Sequence, residues 1–198
     1  MADGETEIWY LQMMKQNERQ VRLTIKPELP KKKRIEDQCE LVCKLAQGEY
    51  DKVFWIVDLD QIAKEQREAT KGKKDPMRTF IECREKVLLG EKYAKRIRVI
   101  VNNPCLEFWF LLHFKHTAKS FSDYDELAEE LKKHMKDYNK SEGYFKQKNN
   151  DIYLKLKPRL KKAIEYSDRL GSFEPKAPSK AVSEMPQFFR TEELKGLF

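Results

Sequence analysis

No apolar run in the sequence approaches the ~20 residues that a membrane span requires, and no secretory apolar core stands near its start. A soluble, cytoplasmic protein without membrane contact is expected. Cysteine is scarce: Cys39, Cys43, Cys83 and Cys105 are the four present. The first pair stands four apart in a helical pattern and the other two are remote. That spacing excludes a zinc-type pair of pairs and a disulfide framework, so reduced thiols are expected. No internal repeat is visible. What is present is a 198-residue chain, 40% hydrophobic and 37% charged, which fits one domain or one domain with a helical appendage.

The net charge of +7 is unevenly placed. From Lys132 to Lys162 eleven Lys/Arg face three Asp/Glu, an excess of eight that leaves the rest of the chain near minus one. This segment includes Lys132, Lys133, Lys136, Lys146, Lys148 and Lys155, interleaved with Tyr138, Tyr144, Phe145 and Tyr153. Such a mixture can hold a nucleic-acid strand by phosphate contact and stacking. It equally suits a solvated helical face or a surface packed on an acidic partner.

Periodicity predicts a helix over 6–18, capped by Thr6. "VRLTIKPEL" alternates Val21, Leu23 and Ile25 with polar residues and predicts a half-buried strand. A helix is expected near 33–47, stopped by Gly48. Val53–Val57 is a continuous apolar run that suits a buried parallel strand, and "RIRVIVNN" reads as another short strand of the same buried kind, with a helix near 76–89 between them. Pro104 opens an apolar helix, "CLEFWFLLHF", expected to be buried.

Strands alternating with helices indicate an α/β fold with a largely parallel sheet flanked by helices over residues 1–116. A basic helical C-terminal region follows over 117–170. It carries Leu127, Leu131 and Met135 behind a Ser122 cap, then Ile152, Leu156, Leu160 and Ile164. Residues 171–198 read as an extended tail.

Ligands of parallel sheets collect at the carboxyl ends of the strands, and three groups of acids fall at that edge. Asp58 and Asp60 end the best strand, two residues apart. In extended backbone both face one side and can approach one Mg²⁺ or Mn²⁺; the alternative is a helix-capping acid beside a loop acid. Glu107 sits on the apolar helix behind Asn103, read as its cap, and Pro104. A carboxylate there needs a partner, either a metal or a Lys/Arg. His113, about 120° around that helix and near Trp109, reads as a packed core histidine. In the opening loop Asp3 and Glu7 can face one way, and Gly4 permits a sharp turn or close approach to a phosphate. The same acids also suit an unstructured chain start.

Together these segments resemble the RloB-like family of bacterial abortive-infection proteins, which carry a Toprim-type catalytic domain. "NNPCLEFWFLLHF" is similar to the family's "SNPCFELWLLLHF" pattern. The order also agrees: an acidic-Gly-x-Thr-acidic loop, then "VDLD", then the Asn-Pro-Cys helix. The resemblance covers roughly residues 2 to 170.

The resemblance implies a Toprim-like fold in which Asp3 takes the place of the leading Glu, with Gly4, Thr6 and Glu7 completing the loop. Asp58 and Asp60 fall on the metal-binding Asp-x-Asp, and Glu107 is a candidate further ligand. Two departures stand out: Asp replaces Glu at position 3, and only Met1 and Ala2 precede it, so the sheet is expected to lack its first strand. The implied activity is Mg²⁺- or Mn²⁺-dependent phosphodiester cleavage of RNA, tRNA included, or DNA, beside an ABC/AAA-type ATPase partner in phage defence. The alternative is a non-catalytic nucleic-acid-binding or regulatory subunit of such a complex. A primase or topoisomerase role is disfavoured, because the chain has no Tyr-bearing companion domain and no zinc module.

Overall fold

Two parallel strands carry the site. The computed structural model describes residues 4–25, 34–48, 50–68, 74–90 and 95–194. In it β1 (Val53–Asp58) pairs in parallel with β2 (Ile97–Asn103), from Val53 opposite Ile97 to Asp58 opposite Asn102. A two-residue strand, β3 (Val182–Ser183), pairs antiparallel with the end of β2, giving the order β1-β2-β3. Helices fill the rest of the α/β part: α1 (Glu5–Asn17), α2 (Ile35–Gln47), α3 (Leu59–Glu68), α4 (Pro76–Leu89) and α5 (Leu106–Leu112). The helical C-terminal region holds α6 (Tyr124–Lys132), α7 (Glu142–Phe145), α8 (Ile152–Leu156) and α9 (Leu160–Leu170). Beyond β3 lies α10 (Pro186–Phe189).

The apolar strands serve two cores because alternate side chains leave opposite faces of a sheet. Trp55, Val57, Val99 and Val101 pack with Cys39 and Val42 of α2 and Phe80 of α4. Ile56 and Ile100 face the other way, into a core with Tyr10 and Met14 of α1 and the apolar residues of α5. The second core runs on through Leu131, Tyr138, Phe145, Leu156 and Phe189, so the helical region and the sheet share one apolar interior. All seven residues of α5 are buried, as its all-round apolarity requires.

Several local expectations are corrected. Val21–Ile25 keeps the expected alternation of exposure, yet no strand pairs with it among the described residues; a cavity of about 330 Å³ is lined by this segment and by β1. The polar stretch after Asp58 is a helix, α3, which buries only Leu59 and Ile62 and is otherwise polar. Gly4, not Thr6, is the N-cap of α1. Asp123, not Ser122, caps α6, its carboxylate accepting from the Glu126 N–H at 3.1 Å. Asn103 does not cap α5 and Pro104 is not in its first turn: Cys105 is the N-cap. Asn103 is still strand, opposite Val182, and its side-chain amide donates to the carbonyls of Pro178 (3.0 Å) and Lys180 (2.8 Å). No helix among the described residues is long and apolar enough to cross a membrane.

Candidate metal centre

The carboxyl ends of β1 and β2 deliver the acids. Asp58 is the last residue of β1. Its Oδ1 accepts from the Asn102 amide at 3.3 Å and its Oδ2 from the Leu106 N–H, at the start of α5, at 3.1 Å. These bonds tie the aspartate to the neighbouring strand and to the helix that carries Glu107. The Asn102 side-chain Oδ1 in turn accepts from the Ser183 hydroxyl at 2.7 Å, so β3 braces the residue that braces Asp58.

Glu107 has no exposed surface. Its Oε1 accepts from the Tyr138 hydroxyl at 2.9 Å and faces the Lys140 ammonium at 3.0 Å, while its Oε2 is buried without a hydrogen-bond partner. One ligand atom each of Asp58, Cys105 and Glu107 lie within 4.8 Å of one another, a grouping able to hold a metal ion. The sequence left Glu107 with either a metal or a Lys/Arg as partner; the structure supplies the lysine and leaves one oxygen for a cation.

Asp60 lies in the first turn of α3, not on an extended strand, so strand alternation does not bring it to Asp58. The strand-to-helix turn does so instead, held by the Asp60 N–H donating to the Pro104 carbonyl at 2.9 Å. Asp58 and Asp60 line one cavity of about 370 Å³ together with Gly4, Thr6, Glu7 and Lys140. Glu7 is 3% exposed, and its Oε2 and the Asp60 Oδ1 are both buried without a hydrogen-bond partner. Gly4 has ordinary dihedrals; a Cβ there would stand 2.0 Å from the Glu7 Oε2, so the Glu7 carboxylate keeps its place only beside a glycine. Thr6 donates to the Glu7 Oε1 at 3.4 Å. Asp3 lies outside the described residues.

The crowding of acids shows in their protonation. Burial, with the Glu7 carboxylate next in weight, holds the Asp58 carboxyl well above the usual range. Burial lifts Asp60 to about 6, with Lys140 opposing and Glu107 adding to the rise. Burial is the largest single influence on Lys140 and disfavours its charge, but Glu107, Cys105 and Asp58 together hold the ammonium above its usual value. Burial, with Glu107 next in weight, pushes the Cys105 thiol well up.

The donor set fits a hard divalent cation. Unpartnered buried carboxylate oxygens are costly unless a cation arrives, and Asp58, Asp60, Glu7 and Glu107 offer only oxygen. A thiol is a soft ligand that suits Zn²⁺ better than Mg²⁺, so the grouping of Asp58, Cys105 and Glu107 does not by itself fix the metal.

The remaining sequence candidates lie elsewhere. Trp109 is fully buried, donating to the Tyr10 hydroxyl at 3.3 Å and stacked on Phe189. His113 is buried against Trp109, with Nδ1 2.9 Å from the Trp109 carbonyl, and takes no place in the acidic cluster. Lys132, Lys133, Lys136 and Lys148 are exposed, and Lys146 and Lys155 half-buried. Of these, Lys133 pairs with Glu130, Lys146 with Glu142, and Lys155 covers the Tyr144 ring. The interleaved aromatics are not available for base stacking: Tyr138, Tyr144, Phe145 and Tyr153 are all buried in the core. Three residues of the site escaped sequence reasoning, namely Cys105, Tyr138 and Lys140. Lys140 was hidden among ten other basic residues of its segment, and Tyr138 looked like a stacking platform.

Oxygen donors gathered at the carboxyl ends of parallel strands define an α/β protein with a candidate divalent-metal centre. The chain belongs to the RloB-like protein family, whose model matches residues 1–190. No curated protein and no solved structure matches it.

Proposed function

We propose that the protein is a Mg²⁺- or Mn²⁺-dependent nuclease with a Toprim-type site, acting on RNA or DNA in phage defence. The observation that carries this reading is the buried, unpartnered Glu107 Oε2, on a residue grouped with Asp58, which itself lines a cavity with Asp60 and Glu7. Asp58 and Glu107 would hold the ion, with Asp60 and Glu7 on the cavity wall beside it. When bound, such an ion polarises a phosphodiester and orients the attacking water. The chain's own part is to fix the acids. Asn102 and the Leu106 N–H hold Asp58, Tyr138 holds Glu107, and Gly4 leaves room for Glu7. Asp3 belongs to the same loop by motif and is assigned to proton transfer or ligation on that ground alone.

In this proposal the chain comprises an α/β core over 1–116, a basic helical extension over 117–170 and a C-terminal segment over 171–198 that adds β3 to the sheet. The extension lends Tyr138 and Lys140 to the core's acidic site. The family resemblance adds a cytoplasmic setting beside an ABC/AAA-type ATPase. Purified protein should cleave single-stranded RNA or DNA only with added Mg²⁺ or Mn²⁺, and Asp58→Ala/Asp60→Ala should abolish cleavage. Equal degradation by both proteins contradicts the proposal.

The Lys140–Glu107 ion pair favours a second reading, in which the lysine satisfies the acid and the chain is a non-catalytic binding subunit. Calorimetric titration with Mg²⁺ separates the two, because site-specific binding is expected only of the first.

A further inference from the structure

The cavity at the metal centre is lined by five acids, Glu5, Glu7, Asp58, Asp60 and Glu65, and by one cation, Lys140, among the described residues. An anionic phosphodiester is repelled by such a wall unless positive charge meets it there. Lys140 is placed to do so. Its ammonium is 3.0 Å from the Glu107 Oε1 and 3.6 Å above the Tyr124 ring, and 35% of its side chain remains exposed. It therefore touches a candidate metal ligand from one side and solvent in the cavity from the other. None of the six other lysines singled out in the basic segment lines this cavity.

We propose that Lys140 is the substrate-binding residue of the site. It is the counter-ion of Glu107 in the metal-free protein and the contact for a substrate phosphate once a divalent ion has taken up the negative field. Glu107 then serves both cations at once, with Oε1 toward Lys140 and the unpartnered Oε2 toward the metal. The Tyr124 ring holds the ammonium over the cavity by a cation–π contact. This role rests on the metal-centre reading above.

The test compares wild type, Lys140→Met and Lys140→Arg as full chains. Mn²⁺ alone is titrated calorimetrically, and a fluorescent twelve-nucleotide RNA and its DNA counterpart are titrated in Ca²⁺ at several salt concentrations. Lys140→Met is expected to bind Mn²⁺ roughly threefold to tenfold more tightly, since a positive charge beside Glu107 is gone. It should bind the oligonucleotide at least about tenfold more weakly, with the log–log salt slope reduced by about one. Lys140→Arg should restore oligonucleotide affinity to within about threefold. Unchanged oligonucleotide affinity and salt slope in Lys140→Met, with Mn²⁺ binding intact, overturns the role of Lys140 alone. Loss of Mn²⁺ binding in Lys140→Met with full retention in Lys140→Arg makes the lysine a structural support and also overturns it. Absence of Mn²⁺ binding by wild type overturns the metal centre itself. Should Lys140→Met fail to fold, Lys140→Gln carries the same comparison.

Discussion

The Tyr138 hydroxyl donates to the Glu107 Oε1 at 2.9 Å, joining the helical C-terminal region to the acidic end of the sheet. Both residues are buried, so each depends on the other for a hydrogen bond that water cannot replace. Tyr138→Phe is expected to destabilise the protein by about 2 kcal/mol, the usual value of a hydrogen bond to a charged group. In a double-mutant cycle with Glu107→Gln, measured by urea unfolding, the losses should be less than additive. Strict additivity means that the bond contributes nothing.

Gly4 tests whether Glu7 belongs to the site. The dihedrals at Gly4 suit any residue, but a Cβ there would meet the Glu7 carboxylate at 2.0 Å. Gly4→Ala should therefore leave stability within about 1 kcal/mol, the cost of a poorer N-cap. Metal-dependent cleavage should fall by at least an order of magnitude as Glu7 swings away. Cleavage at the wild-type rate excludes Glu7 from the machinery.

Asp60 and His113 give opposing pH dependences in the metal-free protein. The Asp60 carboxyl is raised from 3.8 to about 6, so the fold holds its proton more tightly than the unfolded chain. Its contribution to stability grows as pH falls from about 6 toward 4. His113 is lowered from 6.5 to about 4, chiefly by burial, so its neutral form is favoured in the fold. That contribution is complete above 6.5 and is lost as pH falls toward 4. In chelator, Asp60→Asn should be more stable than wild type at pH 7, by on the order of 1–3 kcal/mol. It should also lose stability more steeply between pH 6.5 and 4. Parallel curves for the two proteins contradict the assignment.

Much of the frame was legible in the sequence because its segments are locally consistent. Val53–Val57 and Val99–Val101 are unbroken apolar runs within the two strands, and α4 begins at a proline and ends before a glycine. What was missed depended on tertiary contact. Asn103 reads as a helix cap, but carbonyls of the distant residues Pro178 and Lys180 claim its amide. Val21–Ile25 alternates like a strand, yet alternation only marks a half-buried extended segment and does not supply a pairing partner. The acids of the site were visible as a motif. Tyr138 and Lys140, which complete it across 31 and 33 residues of chain from Glu107, carried no local signal of doing so.

Metal should stabilise the fold as well as serve chemistry. At about 100 times its dissociation constant, Mg²⁺ is expected to raise unfolding free energy by about 2.7 kcal/mol. Glu107→Gln should remove that increment while leaving the metal-free protein folded. An equal response of both proteins to Mg²⁺ places the binding elsewhere.

The central claim, a divalent-metal centre at Asp58 and Glu107, is met most directly by crystals soaked in Mn²⁺ and measured at the manganese edge. One anomalous peak is expected about 2–2.2 Å from an Asp58 oxygen and the Glu107 Oε2, with Lys140 still beside the Glu107 Oε1. A crystal without that peak, with Lys140 the sole partner of Glu107 besides Tyr138, contradicts it.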